Sequence, residues 1–585
     1  MNISRLAFPF LLLIVVIGFG IRVYNLDKHG IFLDEKATIL ISQGMALEGN
    51  SQKNCFYTPR KNTFTPKEFW ADKNLEDYYD SIRRSDIGNS PFYYLMLHNW
   101  INVFGIHDYS IRFLSVIFSC LIIVLLFFFI KEHFNNVKLA LLACFLMAIE
   151  PFFIAISQQT RNYSMSFFLT LLATHVFLKI IKNEDNDIKS IKLYWFYGIL
   201  SALCLLSHFL TATVFMVHGL YMLLFVRKSR PWVLLPLFLM IGALAFGYWI
   251  TYGGGDYTFQ TLAYQAKIYY TQAHLNPNPH AGYIDPATIE NVTKKSVPIF
   301  TDLFIASNNI TANMVGNKNI LLAFFVTIVS IFMLWKFKKS QQTKWIFFII
   351  GINLLSFFVY STAKWQYLEI VNCGLLFYLF IEYWRNTKEN SEKKQLWLLL
   401  FLTLIPTIFL IIMTFKNGHT FGLTQRYSGF SFPYSTIFLS ITLLRANQTI
   451  KPLNYFIWGI FAIQLFFVGK TIRNVLNDES LKYNYRDVAR KENPYPKIAN
   501  ELVKQYQKGD TIAYPSYIKK IYEGDTYVNN IKRSVLDAQY VNLYLPKDAE
   551  YIQTIDVKEL NKVILMKKDG RKIEIFDLKE DTFRY

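Results

Sequence analysis

The feature that most constrains this chain is a series of apolar blocks of about 17 to 22 residues, the length a helix needs to cross roughly 30 Å of hydrocarbon at 1.5 Å per residue. Thirteen such blocks can be read, at about 6–23, 111–130, 138–156, 164–181, 193–209, 210–226, 231–252, 319–337, 344–361, 366–384, 395–415, 428–445 and 452–470. The composition agrees: of 585 residues 53% are hydrophobic and 18% charged, against about 25% charged in ordinary soluble proteins. A conventional soluble enzyme is excluded, and a polytopic α-helical membrane protein is expected.

The direction of the spans follows from the cations. A net charge of +19 would suggest nucleic acid in a soluble chain, but here the Lys and Arg sort by loop. Alternate short loops hold nineteen of them, from Lys131 and Lys138 to Arg445 and Lys451, whereas the loops between hold only Arg161, Lys364, Lys416 and Arg426. Short basic loops stay on the cytoplasmic side. The N-terminus is therefore expected inside, and the long segments 24–110 and 253–318 and everything after about 470 outside. No nucleic-acid partner is expected. The first block has Arg5 ahead of it but no small-residue cleavage site before Asp34, so it reads as an uncleaved helix.

Residues 1–470 then form the membrane domain and 471–585 a small extracytoplasmic α/β domain. The latter has a helical stretch near 498–507 and β-rich runs at 511–514, 541–545, 563–566 and 572–576. Four cysteines lie in spans and only Cys55 outside, so no external disulfide is expected. No inverted repeat is visible, which weakens a transporter reading.

Three clusters on the outer side can carry chemistry. In Leu33-Asp34-Glu35-Lys36-Ala37-Thr38, Asp34 can cap a helix running to about Leu47 and lying flat on the outer leaflet, where the helix dipole favours an ionised carboxylate able to take a proton from a hydroxyl. The structural alternative makes Asp34 merely the cap and Glu35 a solvated neighbour. Near Asn89-Ser90-Pro91-Phe92-Tyr93-Tyr94, the aromatic residues read as packing and Arg112 as an anchor or the partner of Asp108. The turn Ser157-Gln158-Gln159-Thr160-Arg161-Asn162-Tyr163 and the pair Arg426-Tyr427 place arginines beside hydrocarbon. Such arginines either snorkel to headgroups or, through a planar fork, hold phosphate oxygens. No metal-ligand, nucleophile-elbow or phosphate-loop motif is present; the isolated His29 and His419 either help bind a divalent metal ion or serve local hydrogen bonds, and the sequence indicates no metal or other cofactor.

Taken in order, these pieces resemble the lipid-linked membrane glycosyltransferases of the GT-C fold, specifically the glycosyltransferase family 39 group, which includes protein O-mannosyltransferases and the lipid A aminoarabinose transferase. The matching pieces are Leu33-Asp34-Glu35, Ser90-Pro91-Phe92-Tyr93-Tyr94, the 157–163 turn, Arg426-Tyr427 with Pro433, and Tyr485-Arg486-Asp487-Val488-Ala489 with Gly509-Asp510. The resemblance implies a GT-C fold of about 13 transmembrane helices and transfer of a sugar from a polyprenyl-phosphate-linked donor to a lipid, glycan or protein acceptor at the outer face of the cytoplasmic membrane. It makes Asp34 the general base with Glu35 beside it, puts the donor phosphate on Arg161 and Arg426, and lets Tyr427 shape that pocket. Asn89, Tyr93, Gln158 and Tyr163 are candidates for the substrate pocket. Where the aminoarabinose transferase has Glu-Lys-Pro, this chain reads Asn89-Ser90-Pro91, so aminoarabinose is not implied as the sugar. An oligosaccharide ligase or polymerase using a lipid-linked glycan, which shares the topology and carrier lipid, is the alternative, with a lipid or sugar transporter behind it.

Overall fold

The computed structural model describes residues 3–47, 56, 63–85, 90–313, 316–480, 482–483, 489–490, 492–515, 535–556 and 558–579. Asn89, Cys55 and residues 485–488 lie outside the described residues. The membrane part is built mainly of helices, and a helix overlaps each expected span. Among the described residues, seven helices are long and apolar enough to cross a bilayer: Leu6–Val23, Asp108–Phe134, Tyr163–Asp185, Ser229–Tyr252, Asn317–Ser340, Asn390–Asn417 and Lys451–Leu476. An eighth arises if the pair Val137–Ala148 and Pro151–Ser157, bent by 57°, is one broken span. Ile191–Ser207 and Lys344–Val359 are shorter apolar helices. The chain is thus a multi-pass helical membrane protein.

The bend has a local cause. Pro151 cannot donate an N–H and opens a new helix, with Glu150 capping it through the Phe152 N–H. The carbonyls left free at the end of Val137–Ala148 are met by Arg22, whose guanidinium donates to Ala148 O at 2.8 Å, Met147 O at 3.2 Å and Ser119 Oγ at 2.8 Å. Gln158, just past the bend, donates in turn to the carbonyls of Arg22 at 3.1 Å and Tyr24 at 2.8 Å. The C-terminal end of the first helix and the 157–163 turn are therefore locked together by polar groups that hydrocarbon would leave unsatisfied.

After the last long helix, the chain builds a four-stranded sheet from β1 (Thr511–Pro515), β2 (Ile552–Asp556), β3 (Lys562–Met566) and β4 (Lys572–Asp577), in the order β2-β1-β3-β4. β1 runs parallel to β2 and antiparallel to β3, and β3 runs antiparallel to β4. A parallel pair needs a crossover, and this one carries the helix Leu536–Asn542. The expected strand at 541–545 is corrected here. Val-Asn-Leu-Tyr-Leu alternates like a strand, but every residue of Leu536–Asn542 is buried, and Asn542 Nδ2 returns to Ala538 O at 2.7 Å as a helix allows.

The sheet is not a detached module. Phe64 pairs with Gln553 through two backbone bonds of 3.0 and 2.9 Å, covering the open edge of β2 with the segment that follows the first long helix. Trp70 Nε1 donates to Asn542 O at 3.0 Å. Asp108, which opens the long helix Asp108–Phe134, accepts from Tyr544 at 2.7 Å and from Asn493. One apolar core runs through both parts.

Candidate active site

The site is organised by the short helix Leu33–Ser42. It ends earlier than the expected Leu47, and Phe32 occupies the capping position, so Asp34 lies inside the first turn rather than at the cap. Nor is it exposed on one face as a helix lying on a leaflet would be: Glu35 to Ser42 are all buried by protein, with the helices Leu75–Ser85 and Pro91–Phe104 packed against it and Lys36 set against Tyr495 and Tyr540.

Glu35 is not a solvated neighbour. It is fully buried and paired in a fork with Arg112, Nε to Oε1 and Nη2 to Oε2 both at 2.9 Å. It also accepts the N–H of Thr160 at 2.8 Å and of Phe32 at 3.2 Å. Arg112 spends its remaining donors on the carbonyls of Leu26, His29 and Gly30, at 2.7 to 2.9 Å. Its partner is thus Glu35 and not Asp108. Burial raises the Glu35 carboxyl, but the charge and hydrogen bonds of Arg112 together with the Thr160 N–H outweigh it and hold the group below the usual carboxylate range. Glu35 therefore stays an ion and serves as a fixed post joining the Leu33–Ser42 helix, the link after the first span and the 157–163 turn.

That post fixes the backbone next to Asp34. Asp34 keeps 24% of its side chain exposed, and its Oδ2 lies 3.8 Å from Nη1 of Arg426, itself 22% exposed. Arg161 reaches the same helix, with Nη1 donating to Thr38 Oγ1 at 2.6 Å and to the Asp34 carbonyl at 3.1 Å. Two guanidinium groups and one carboxylate, distant in sequence, are gathered at one place.

Each arginine is held from behind. The Arg161 carbonyl accepts from Ser115, whose hydroxyl is also hydrogen-bonded to Tyr93 at 3.3 Å. Asn162 donates to Ser90 Oγ and to Ser207 O, both at 2.6 Å. Gln425, beside Arg426, donates to the buried Asp302, which also accepts from Lys482 at 2.8 Å. Gly429 has no room for a side chain: a Cβ there would come within 2.0 Å of the Phe167 ring, which is packed against Phe152, Phe153 and Phe430.

Of the pocket candidates, Tyr163 lies 6.5 Å from the Tyr427 ring, and the Arg426 guanidinium stands 5.5 Å from that ring. Tyr93 and Gln158 lie behind the site: Tyr93 is buried against Ser115, and Gln158 is committed to the first helix. The sequence reading missed His208, whose ring is 5.8 Å from Tyr163 and 6.0 Å from Tyr427, at the break after Ile191–Ser207. It also missed Thr38, although its place one turn after Asp34 puts both on one helix face. Among the described residues, no three His, Cys, Asp or Glu side chains are grouped to hold a metal ion.

The 3.8 Å separation is looser than a hydrogen-bonded ion pair, and both partners keep contact with solvent.

Comparison with known proteins supports the resemblance read from the sequence. Residues 89–250 match the family described as dolichyl-phosphate-mannose-protein mannosyltransferase. A search of curated proteins returns no match. Among solved structures, the Archaeoglobus fulgidus oligosaccharyltransferase complexed with Zn and sulfate is similar at TM-score 0.40 and 15% identity, covering 85% of this chain and 56% of that one. The same organism's AglB, with an inhibitory peptide and a dolichol-phosphate, gives 0.38 and 13%, covering 94% and 61%. ArnT from Cupriavidus metallidurans bound to undecaprenyl phosphate gives 0.32 and 11%, covering 80% and 89%. The chain thus spans little more than half the length of the archaeal structures.

Proposed function

We propose that this chain is an integral membrane glycosyltransferase of the GT-C class that moves a sugar from a polyprenyl-phosphate carrier to a lipid, glycan or protein acceptor. Residues 1–470 would be its membrane domain and 471–585 its extracytoplasmic domain, with the N-terminus in the cytoplasm and transfer at the outer face of the cytoplasmic membrane. The observation that carries the reading is the meeting of Asp34, Arg426 and Arg161 at one partly exposed place.

The chemistry suits so small a set of groups. A glycosidase needs a second carboxyl to protonate a poor alkoxide leaving group, whereas a phosphate departs as a stable anion. Asp34 takes the acceptor proton as the acceptor oxygen bonds to the anomeric carbon. The bond from that carbon to the phosphate oxygen breaks, and its electron pair leaves with the polyprenyl phosphate. Arg426 and Arg161 neutralise the charge growing on that phosphate, an effect worth about 10²- to 10³-fold per donor in comparable sites. Tyr427 and Tyr163 border the pocket. A single displacement inverts the anomeric centre.

The test is transfer from purified protein supplied with either a polyprenyl-phosphate monosaccharide or an oligosaccharide diphosphate carrier. Use of the monosaccharide carrier, lost in Asp34→Asn protein that still inserts and folds, is the expected result. Transfer from only the oligosaccharide carrier points to the ligase alternative. Full transfer by Asp34→Asn removes the base assignment, and a product retaining the donor's configuration removes the single displacement.

A further inference from the structure

Three consecutive charged residues leave the Leu33–Ser42 helix in three directions. Asp34 faces Arg426, Glu35 is taken by Arg112, and Lys36 runs into the C-terminal domain. The Lys36 side chain is buried, 1% exposed. Its Nζ lies 4.6 Å from the centre of the Tyr540 ring and 5.2 Å from that of Tyr495. The two rings stand edge to face at 5.0 Å, and the Tyr495 hydroxyl donates to Asp537 at 2.9 Å. Gln539, one residue before Tyr540, donates to Ala46 O at 2.8 Å. The Leu536–Asn542 helix therefore holds both the first turn of the Asp34-bearing helix and the chain just past its end.

A buried lysine needs an explanation beyond packing. Burial drives its ammonium down to about 7, with Asp537, Asp108 and Glu35 pulling the other way. An apolar side chain of similar length would fill the space without that penalty. What the ammonium adds is direction, because a cation set against two π faces and an acid loses those partners if the helix turns. At 100° per residue, Lys36 leaves the helix about 200° from Asp34, on nearly the opposite side. With a helix radius of about 5–6 Å, a rotation of about 20° moves a side chain by about 2 Å. A misplacement of about 1 Å is enough to cost on the order of 10²-fold in rate.

We propose that Lys36 is a positioning residue through which the C-terminal domain sets the rotation of the Leu33–Ser42 helix, and with it the place of Asp34 beside Arg426. The inference rests on the reading of Asp34 as the base, so its test includes a measurement independent of turnover. Full-length protein in detergent would be compared by hydrogen exchange of the 33–42 amides, by undecaprenyl phosphate binding, and by turnover on polyprenyl-phosphate sugars extracted from host membranes. Lys36→Met and Tyr540→Leu are expected to speed exchange over 33–42 and to lower turnover about 10- to 100-fold, with undecaprenyl phosphate affinity within about threefold of wild type. Tyr540→Phe keeps the ring face and is expected to keep both exchange and turnover. Should Lys36→Met fail to fold, the two Tyr540 variants decide.

Wild-type exchange and turnover in Lys36→Met and Tyr540→Leu, with Asp34→Asn inactive, overturn the positioning role and leave the base assignment standing. A Tyr540→Phe variant as impaired as Tyr540→Leu also overturns it, by assigning the effect to the hydroxyl. An active Asp34→Asn instead overturns the base assignment, and the exchange data then judge alone whether Lys36 holds the helix.

Discussion

Arg112→Met should loosen the site without touching any group that faces the cleft. All five N–H donors of Arg112 are engaged, two on Glu35 and one each on the carbonyls of Leu26, His29 and Gly30. Methionine leaves Glu35 a buried carboxylate with only the N–H groups of Thr160 and Phe32. Breaking one side of such a pair costs about 3–5 kcal/mol. Arg112→Lys keeps the charge but has three donors for five acceptor positions, and should fall between Met and wild type. Glu35→Gln alone should also destabilise, because it leaves the guanidinium short of its counter-charge. In the double variant Glu35→Gln with Arg112→Met, the buried charge is gone from both sides. The double variant should therefore be more stable than the two single effects summed, with a coupling of about 2–3 kcal/mol. Reversible denaturant unfolding in detergent, followed by tryptophan fluorescence, measures the cycle. Additivity within about 0.5 kcal/mol, or a wild-type midpoint for Arg112→Met, would refute the claim that this pair anchors the helix.

The same pair predicts a pH dependence. Glu35 titrates below its unfolded value, so its contribution to stability is fully present above the ordinary glutamate range and is lost as the pH falls through the depressed folded value. Glu35→Gln should flatten the acid limb of the unfolding midpoint plotted against pH, and an unchanged limb would speak against it. Asp34→Asn should lower turnover about 10²- to 10⁴-fold with little change in undecaprenyl phosphate binding, whereas Arg426→Ala should weaken that binding as well; calorimetric titration separates the two. Gly429→Ala should cost about 1–3 kcal/mol in the same unfolding assay and lower turnover, since the Phe167 ring it would strike has packed neighbours on several sides.

Much of the candidate site was legible in residue type and order. An arginine in a tight outer turn and another at a span end marked Arg161 and Arg426 as groups needing a partner, and both end near Asp34. The roles within Asp34-Glu35-Lys36 were not legible. Glu35 could be read as a solvated neighbour of Asp34, and only the packing of three different neighbours sorts the three charges into a partly exposed carboxylate, a buried post and a tether. Arg112 shows the same limit. Asp108, four residues earlier on its own helix, was the obvious partner, but that carboxylate is taken by Tyr544 and Asn493 from the far end of the chain.

The sequence by itself determined that this chain lives in a membrane as a bundle of helices, because hydrocarbon thickness and unsatisfied backbone groups impose a length and an apolar character that can be read residue by residue. It also exposed the few polar groups too costly to leave unpaired there. The tertiary structure alone decided which of those groups meet, since the contacts that matter join residues 35 with 112, 34 with 426 and 36 with 540. Such pairings depend on the direction each side chain takes from its helix and on what the rest of the fold brings to meet it, and no local pattern carries that information.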